Sequence, residues 1–310
     1  MIRTRFVFKA VLPVVLIYFA GNISAKAQQP AGTSPMVPLA KNYESAMVTT
    51  PPESLGLDTF YTKYVDAYGI PVVSSGKVPN TALLYARDII NYMILKRPDV
   101  RASLIADHAR LSILGKDEMQ TDLPECRDWK KPALDDKRLT DKERAEYNQP
   151  GGVGSMTDKG YWNQRARGMG GIQTSCAEEN LLGYRGTKYY GENIAVHEFS
   201  HNIMGALQKV DPVLYAKIKV AYLAAKAKGL YKGQYAINTM YEYWAEGTQW
   251  WFWSNYEFID INNGNQLLQS PDDLKKYDPQ LYSLLDQIYP GHHIPTDVYY
   301  GKNIPYPVKK

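Results

Sequence analysis

Two histidines bracket a glutamate in the segment His197-Glu198-Phe199-Ser200-His201. On a helix, positions i and i+4 lie one turn apart on the same face, so both imidazoles can bind one metal ion. Histidine nitrogens bind zinc at about 2.0–2.1 Å in such sites. Glu198 follows the first histidine, and from there its carboxylate can take a proton from a metal-bound water. The motif therefore predicts a catalytic site with one zinc ion per chain.

The residues around the motif favour a buried helix. Glu198 is the only acidic or basic residue from Asn193 to Leu207, counting histidine as neutral. The alternative interpretation is a core helix with two hydrogen-bonded histidines. That arrangement would leave Glu198 buried and unpaired, which is costly in free energy. We therefore favour metal binding.

A catalytic zinc ion usually has three protein ligands and one open position, so a third ligand is needed. No histidine occurs from Ala206 to Pro212, which excludes the metzincin continuation of the motif. Downstream, Glu242 and Glu246 stand four residues apart on a predicted helix. One of them can bind zinc, while the other accepts a hydrogen bond from the free ring N–H of a ligand histidine. Spacing alone leaves both assignments open.

The motif and the two glutamates resemble the gluzincin pattern, in which an H-E-x-x-H helix precedes an E-x-x-x-D/E helix. The closer resemblance is to the catalytic domain of anthrax lethal factor and to the secreted Pro-Pro endopeptidases. These share an H-E-F-x-H core, an E-x-x-A-E segment and a tyrosine seven residues before that segment. In this chain the second segment is Glu242-Tyr243-Trp244-Ala245-Glu246, and the tyrosine is Tyr235.

The resemblance implies a role for each of these residues. It implies Glu242 as the third zinc ligand beside His197 and His201, and Glu246 as the residue that holds a ligand histidine. It implies that the phenol of Tyr235 hydrogen-bonds the oxyanion of a tetrahedral intermediate. Without the seven-residue offset Tyr235 would be an ordinary core or surface residue, since the chain has 25 tyrosines.

The elements that must position these residues predict an α+β fold. We expect a zincin-like metallopeptidase domain with a small twisted sheet, the active-site helix at the floor of a cleft and the ligand helix packed behind it. Apolar spacing and terminating residues predict helices at residues 81–96, 211–227 and 239–255. Strands are predicted at residues 101–105 and 110–114, with an edge strand at 168–176 beside the active-site helix.

Residues 1–27 have the pattern of a secretory signal peptide. Arg3, Arg5 and Lys9 precede an apolar stretch, and Ala25-Lys26-Ala27 supplies a small-x-small cleavage site. The apolar stretch is too short for a transmembrane helix; an uncleaved signal anchor is the alternative interpretation. We therefore expect a secreted or periplasmic protein without a stable membrane anchor.

The basic balance of the chain comes from this segment. Four of the 36 basic residues lie in residues 1–27, and the other 32 equal the number of acidic residues. A nucleic-acid-binding protein is expected to keep a basic excess, so we exclude nucleic acid as a partner. Residues 28–52 are rich in Pro, Ala, Ser and Thr and predict a flexible lead. Residues 53–310 predict a single catalytic domain.

Cys126 and Cys176 are the only cysteines. Two cysteines in an exported chain predict one disulfide. It would close a loop of about fifty residues and contribute about 4 kcal/mol in the chain-entropy model. Metal ligation is the alternative, but the pair lacks C-x-x-C spacing.

Together, the motif and the resemblance predict a secreted zinc metallopeptidase that acts on peptide or protein substrates. Zinc would polarise the scissile carbonyl, Glu198 would activate water and protonate the leaving amine, and the substrate would extend along the edge strand. The alternatives are a catalytically inactive zincin-fold binding protein and a zinc hydrolase of a non-peptide or cell-wall amide. Zinc binding does not need Glu198, so a protein that binds zinc without catalysis tends to lose that residue. The presence of Glu198 therefore argues against the inactive protein.

Overall fold

A sheet of five short strands forms one layer of the fold. The computed structural model describes residues 48–136, 139, 141–259 and 265–305. The strands β1 to β5 span Lys63–Asp66, Pro71–Ser74, Arg110–Leu114, Gly168–Met169 and Gln173–Ala177. β2, β3 and β5 run parallel, whereas β1 and β4 pair antiparallel with their neighbours in the order β1-β2-β3-β5-β4.

Both faces of the central strands are buried. Val72 and Ile113 point into the main core on one face of the sheet, whereas Val73 and Leu114 point into a smaller apolar cluster on the other. Apolar side chains at consecutive positions are typical of parallel strands that are covered on both sides.

Helices and one further pair of strands complete the described part of the chain, so the predicted α+β fold is confirmed. The helices α1 to α10 are Asn80–Met93, Pro98–Ala106, Asp141–Ala145, Asp158–Arg165, Glu178–Leu181, Ile194–Val210, Pro212–Ala227, Met240–Trp251, Pro271–Tyr277 and Pro279–Asp286. The additional strands β6 and β7 are Phe258–Ile259 and Gln266–Leu268. The predicted helices at 81–96, 211–227 and 239–255 correspond to α1, α7 and α8, and the predicted strand at 110–114 is β3.

Helix α6 is the central element of the main core. It packs against β4 and β5 on the sheet and against α8. Nearly all of its side chains from Ile194 to Leu207 are buried. A helix that is buried on all sides requires apolar residues all round, which agrees with the uncharged flanks of the motif.

The segment Pro98–Ala106 is helix α2, so the predicted strand at residues 101–105 is wrong. Its first residue is proline, which is favoured in the first turn of a helix. An N–H at that position would have no partner within the helix, so proline loses no hydrogen bond there. Its buried residues, Val100 and Leu104, are four apart, which is the spacing of one helix face.

Residues 168–176, predicted as one edge strand, form two strands joined by a turn. β4 pairs antiparallel with β5, with Gly168 opposite Cys176. In the turn, Gly171 has φ 115°, a backbone conformation that favours glycine. β4 is the strand at the edge, and it lies next to α6 as expected.

Cys126 and Cys176 are free thiols, so the predicted disulfide is not formed in the structure. The two side chains lie on opposite faces of the five-stranded sheet. Cys176 packs in the main core with Ile113, whereas Cys126 packs in the smaller cluster with Leu114. A disulfide requires Cβ atoms about 3.8 Å apart, which the intervening sheet prevents.

The predicted signal peptide lies outside the described residues, as does the predicted lead up to residue 47. Within the remainder of that lead, Thr49 pairs with Tyr64 of β1 in a β-bridge. The predicted domain boundary at residue 53 therefore falls just after a contact with the sheet. No helix within the described ranges is long and apolar enough to cross a membrane.

Candidate metal centre

Helix α6 carries His197 and His201 on one face. The helix begins after Asn193, whose side-chain oxygen accepts the Val196 N–H at 3.1 Å and caps the first turn. Both histidines are buried, and their rings meet edge to face with centroids 5.1 Å apart. The predicted helical arrangement of the H-E-x-x-H motif is therefore confirmed.

Helix α8 brings Glu242 to the two histidines. Thr239 caps this helix by accepting the Glu242 N–H at 3.1 Å, which fixes Glu242 in the first turn. Glu242 Oε2 lies 3.1 Å from His197 Nε2 and 4.0 Å from His201 Nε2. One donor atom from each residue lies within 4.8 Å of the other two. This buried group of two nitrogens and one oxygen could hold a metal ion.

Gln249 orients His197, a role that the sequence interpretation missed. Its amide nitrogen donates to the Asn193 carbonyl at 3.0 Å, so its oxygen Oε1 faces His197 Nδ1 at 3.0 Å. Because Oε1 can only accept, Nδ1 must carry a proton. In a neutral ring the lone pair is then on Nε2, the nitrogen that faces Glu242. The seven-residue spacing from Glu242, two helical turns, is the sequence signal that could have identified Gln249.

Glu246 lies beside His197 but beyond hydrogen-bond distance. Its Oε1 is 3.9 Å from His197 Nδ1, while its Oε2 accepts a hydrogen bond from Asn255 Nδ2 at 2.8 Å. In this structure the hydrogen bond predicted for Glu246 is therefore made by Gln249. Glu246 contributes its negative charge to the surroundings of the ring.

The contact between His197 Nε2 and Glu242 Oε2 requires a positive charge between the two atoms. With the ring proton on Nδ1, both atoms present lone pairs and would repel each other at 3.1 Å. A proton removes the conflict: burial lowers the pKa of His197, but Glu242 outweighs it and raises that pKa to about 10. A metal ion between the two atoms would remove the conflict in the same way. A proton or a metal ion could therefore occupy the space between these two atoms.

His201 supplies a neutral imidazole to the same centre. Burial lowers its pKa to about 4, because a charged ring would lose its hydration. Its Nδ1 is buried and has no hydrogen-bond partner among the described residues. Burial raises the pKa of Glu242, but the hydrogen bond from His197 and the two nearby rings outweigh it and lower that pKa. If a metal ion replaced the proton on His197, the group would offer two neutral imidazoles and one carboxylate, which suits a divalent cation.

Glu198 lies on the exposed side of the centre. Its side chain is 16% exposed, against 3% for His201 and 3% for Glu242. Its Oε2 is 4.0 Å from His201 Nε2, and the backbone N–H of Gly170 donates to its carboxylate. Burial raises the pKa of Glu198 to about 7, so this carboxyl can exchange a proton near neutral pH.

Strand β4 and the turn that follows it pass close over Glu198. A Cβ atom on Gly168 would lie 2.5 Å from Ile194 Cγ2 and 3.3 Å from Glu198 Cγ. A Cβ atom on Gly170 would lie 2.7 Å from His201 Cδ2 and 3.2 Å from Glu198 Oε2. A side chain at either position would push the backbone away from the centre. The two glycines therefore permit the close approach of the edge strand.

Tyr235 begins a short 3-10 helix, Tyr235–Ile237, ahead of α8. Its ring is stacked against His197 with centroids 6.4 Å apart and planes at 30°. Its hydroxyl donates a hydrogen bond to the Glu242 carboxylate. Burial, reinforced by the nearby carboxylates, raises the pKa of Tyr235 well above its usual range, so the phenol is a neutral donor.

The chain matches no model of a known protein family, and no curated protein gives a significant match. The resemblance to gluzincins therefore depends on the motif residues. The residues predicted from the motif and from that resemblance come together at one centre, formed by α6, α8 and the 3-10 helix before α8; they are His197, Glu198, His201, Tyr235, Glu242 and Glu246.

Proposed function

We propose that the protein is a zinc-dependent metallopeptidase of the gluzincin type. The observation that carries the proposal is the convergence of His197, His201 and Glu242 in a buried group with Glu198 on its exposed side. Two histidines and one glutamate are a known ligand set of catalytic zinc. Ligand atoms of a tetrahedral zinc ion lie about 3.4 Å apart. The distances from Glu242 Oε2 to the two imidazole nitrogens, 3.1 and 4.0 Å, bracket that value.

His197, His201 and Glu242 would hold the ion, and three protein ligands would leave one position for water or substrate. When bound there, zinc supplies Lewis-acid chemistry, since it polarises a carbonyl group and lowers the pKa of a water molecule towards about 7. Because the three ligand residues are buried, bulk water has little access to their donor atoms and cannot easily compete with the metal ion for them.

Glu198 would be the general base and then the general acid. Its carboxylate would take a proton from the attacking water as the new C–O bond forms. It would return that proton to the amide nitrogen as the C–N bond breaks, so that the amine leaves uncharged. A pKa of about 7 suits both steps, because a group that accepts and donates a proton works best near the operating pH.

Tyr235 would donate a hydrogen bond to the substrate carbonyl oxygen as negative charge develops there. Its phenol is protonated at neutral pH, and its hydroxyl lies beside Glu242. During the reaction the hydroxyl would exchange Glu242 for the substrate oxygen. A donor used in this way stabilises the transition state more than the bound substrate.

An extended peptide would fit the edge of the sheet beside this centre. Among the described strands β4 pairs only with β5, so its other edge pairs with no described strand. Gly168 in β4 and Gly170 just after it allow the backbone to lie close to Glu198. A peptide that adds to β4 through main-chain hydrogen bonds would place a peptide bond near Glu198. The predicted signal peptide would direct this activity to the periplasm or the exterior.

A diverse peptide library tests the proposal, incubated with purified protein before and after chelation, alongside elemental analysis. We expect stoichiometric zinc, cleavage that stops with a chelator, and recovery when zinc is restored. Glu198→Gln is the matched control: it should keep zinc and cleave nothing. Stoichiometric zinc without cleavage would favour an inactive binding protein, and hydrolysis confined to non-peptide or cell-wall amides would favour the other hydrolase. Protein that binds no zinc would overturn the proposal.

A further inference from the structure

Helix α7 exposes an apolar face to solvent. Val213, Val220 and Leu223 are 65%, 59% and 52% exposed, whereas aliphatic side chains are most often buried. The opposite face of the same helix packs in the main core through four buried side chains, Leu214, Ile218, Ala221 and Ala225. The helix therefore has one apolar face for the core and a second that nothing in the described chain covers.

The exposed face has the spacing of a helix-pairing seam. Its apolar residues alternate in steps of three and four along the helix: Val213, Ala216, Val220, Leu223 and Ala227. These are the a and d positions of a heptad repeat. A stripe limited to a and d is narrower than the apolar face of an ordinary core helix and is typical of two helices packed side by side.

Lysines flank this seam on both sides. In the same register Lys217 occupies an e position, and Lys219 and Lys226 occupy g positions, which contact a partner helix. No acidic residue occurs between Asp211 and Glu242. Lys217 and Lys219 form no ion pair within the described part of the chain. The seam is therefore bordered by the positive charges of Lys217 and Lys219, which no acidic residue of the described ranges neutralises.

We propose that the exposed face of α7 is the docking site for an amphipathic helix of a partner protein, with apolar residues at a and d and Glu or Asp at e and g. A groove of about 500 Å³ runs along this face, bordered by Val213, Val220 and Lys217 on α7 and by Gln280 on α10. The apolar seam would supply the contact area, and the lysines would select an acidic partner.

The charges disfavour a second copy of this chain as the occupant. In an antiparallel pair like positions face each other, so Lys219 and Lys226 would oppose the lysines of the second copy. In a parallel pair g faces the e position of the next heptad, so Lys219 would face Ala224 and would find no acidic partner. An anionic membrane would also attract the lysines. However, helices that lie in a bilayer surface carry Trp, Phe and Leu on the apolar face. Of these residue types the exposed seam has Leu223 alone, and its other members are Val and Ala.

Two fluorescent peptides of three heptads test the proposal with the full-length protein. Both carry Leu at a and d; one has Glu at every e and g position, the other Lys, so neither associates with itself. Fluorescence anisotropy should show at least tenfold tighter binding of the Glu peptide, weakening as salt is added. The double variant Lys217→Glu, Lys219→Glu should lose at least tenfold in affinity for the Glu peptide and gain affinity for the Lys peptide.

The double variant Lys228→Glu, Lys232→Glu is the matched control, because it makes the same change in charge away from the e and g positions. It should keep the preference for the Glu peptide. Val220→Asp should weaken binding at least tenfold, and thermal unfolding should show all variants folded. Equal binding of the two peptides, or equal losses in both double variants, would overturn the proposal. Preference for phosphatidylglycerol vesicles over the Glu peptide, or self-association that Val220→Asp abolishes, would overturn it in favour of a membrane or a second copy.

Discussion

Replacing Gln249 by methionine should weaken metal binding without removing any of the proposed ligands. Gln249 is fully buried; its Oε1 lies 3.0 Å from His197 Nδ1, and its amide nitrogen donates to the Asn193 carbonyl at 3.0 Å. Methionine has a similar length and no amide group, so it can fill the same space. The substitution leaves the His197 ring N–H without this partner. The Asn193 carbonyl loses the Gln249 amide but keeps the backbone N–H of His197 at 3.1 Å.

Two separate losses should follow. A residue that holds the free N–H of a metal-bound histidine is typically worth about 10–100-fold in metal affinity, so the Kd for zinc should rise by about that factor. Each buried polar group left without a hydrogen bond costs about 1–3 kcal/mol in the free energy of unfolding. The first loss concerns the metal centre, and the second concerns the fold.

Thr248→Val separates the two losses, because it changes a neighbouring buried residue that does not touch the centre. The Thr248 hydroxyl donates to the Trp244 carbonyl at 2.8 Å and lies 3.1 Å from the Tyr289 hydroxyl. Its removal should lower the free energy of unfolding and leave zinc affinity unchanged. Competition with a chromogenic chelator measures the affinity, and urea denaturation of chelator-treated protein measures the free energy of unfolding.

Glu246→Gln provides a comparison on the same helix face. Glu246 Oε1 is 3.9 Å from His197 Nδ1, so this change should raise the Kd for zinc less than Gln249→Met does. The reasoning is refuted if Gln249→Met binds zinc as tightly as the wild type. It is equally refuted if Glu246→Gln costs more zinc affinity than Gln249→Met, or if Thr248→Val costs as much.

Four further outcomes are expected. Glu198→Gln should keep zinc and lower kcat/KM on a cleaved peptide by several orders of magnitude, as zinc assays and initial rates would show. Tyr235→Phe should lower kcat by about 10²–10³, the usual loss for one oxyanion donor, in the same assays. Cys126 and Cys176, as buried free thiols, should resist alkylation in the folded protein and react after denaturation without a reductant; a disulfide found by mass mapping would contradict this. Burial raises the pKa of Asp297 from 3.8 to about 6, so the folded state holds its proton more tightly than the unfolded chain does. The free energy of unfolding should therefore fall from about pH 4 to about pH 6 and then level off, and Asp297→Asn should remove this dependence in urea denaturation.

The sequence predicts the part of the metal centre that lies within one helix. His197 and His201 are related by helical spacing alone, and the structure keeps that relation. Glu242 enters the centre only because α8 packs along α6, so its assignment needed the resemblance. Glu246 and Gln249 share a face of α8 with Glu242, and the rotation of α8 about its axis decides which of them reaches His197. The spacing of these residues in the sequence does not determine how α8 is rotated about its axis.

The misassigned strand and the disulfide that the structure does not contain depend on similar features of the sequence. A proline can end one helix or begin the next, and here α1 ends at Met93 while α2 begins at Pro98. The local pattern of residues 98–106 does not decide between a helix that begins at Pro98 and a strand that follows it. For Cys126 and Cys176 the sequence supplies the length of the intervening segment but not the face of the sheet on which each thiol lies.

Contacts between helices, rather than loops, set the geometry of the centre. Trp244 Nε1 donates to the Ser200 carbonyl at 3.2 Å, and Gln249 donates to the Asn193 carbonyl at 3.0 Å, so α8 is tied to α6 on both sides of His197. The histidines come from α6 and Glu242 from α8, so these contacts fix the distances between the three proposed ligands. Ligands fixed in this way would reduce the free energy of ordering the site around a metal ion. Tyr235 comes from the 3-10 helix and reaches the centre through its hydrogen bond to Glu242. Fixed ligands and a phenol that can change partner are what the proposed reaction requires, because the ligands must hold the metal throughout, whereas the oxyanion exists only in passing.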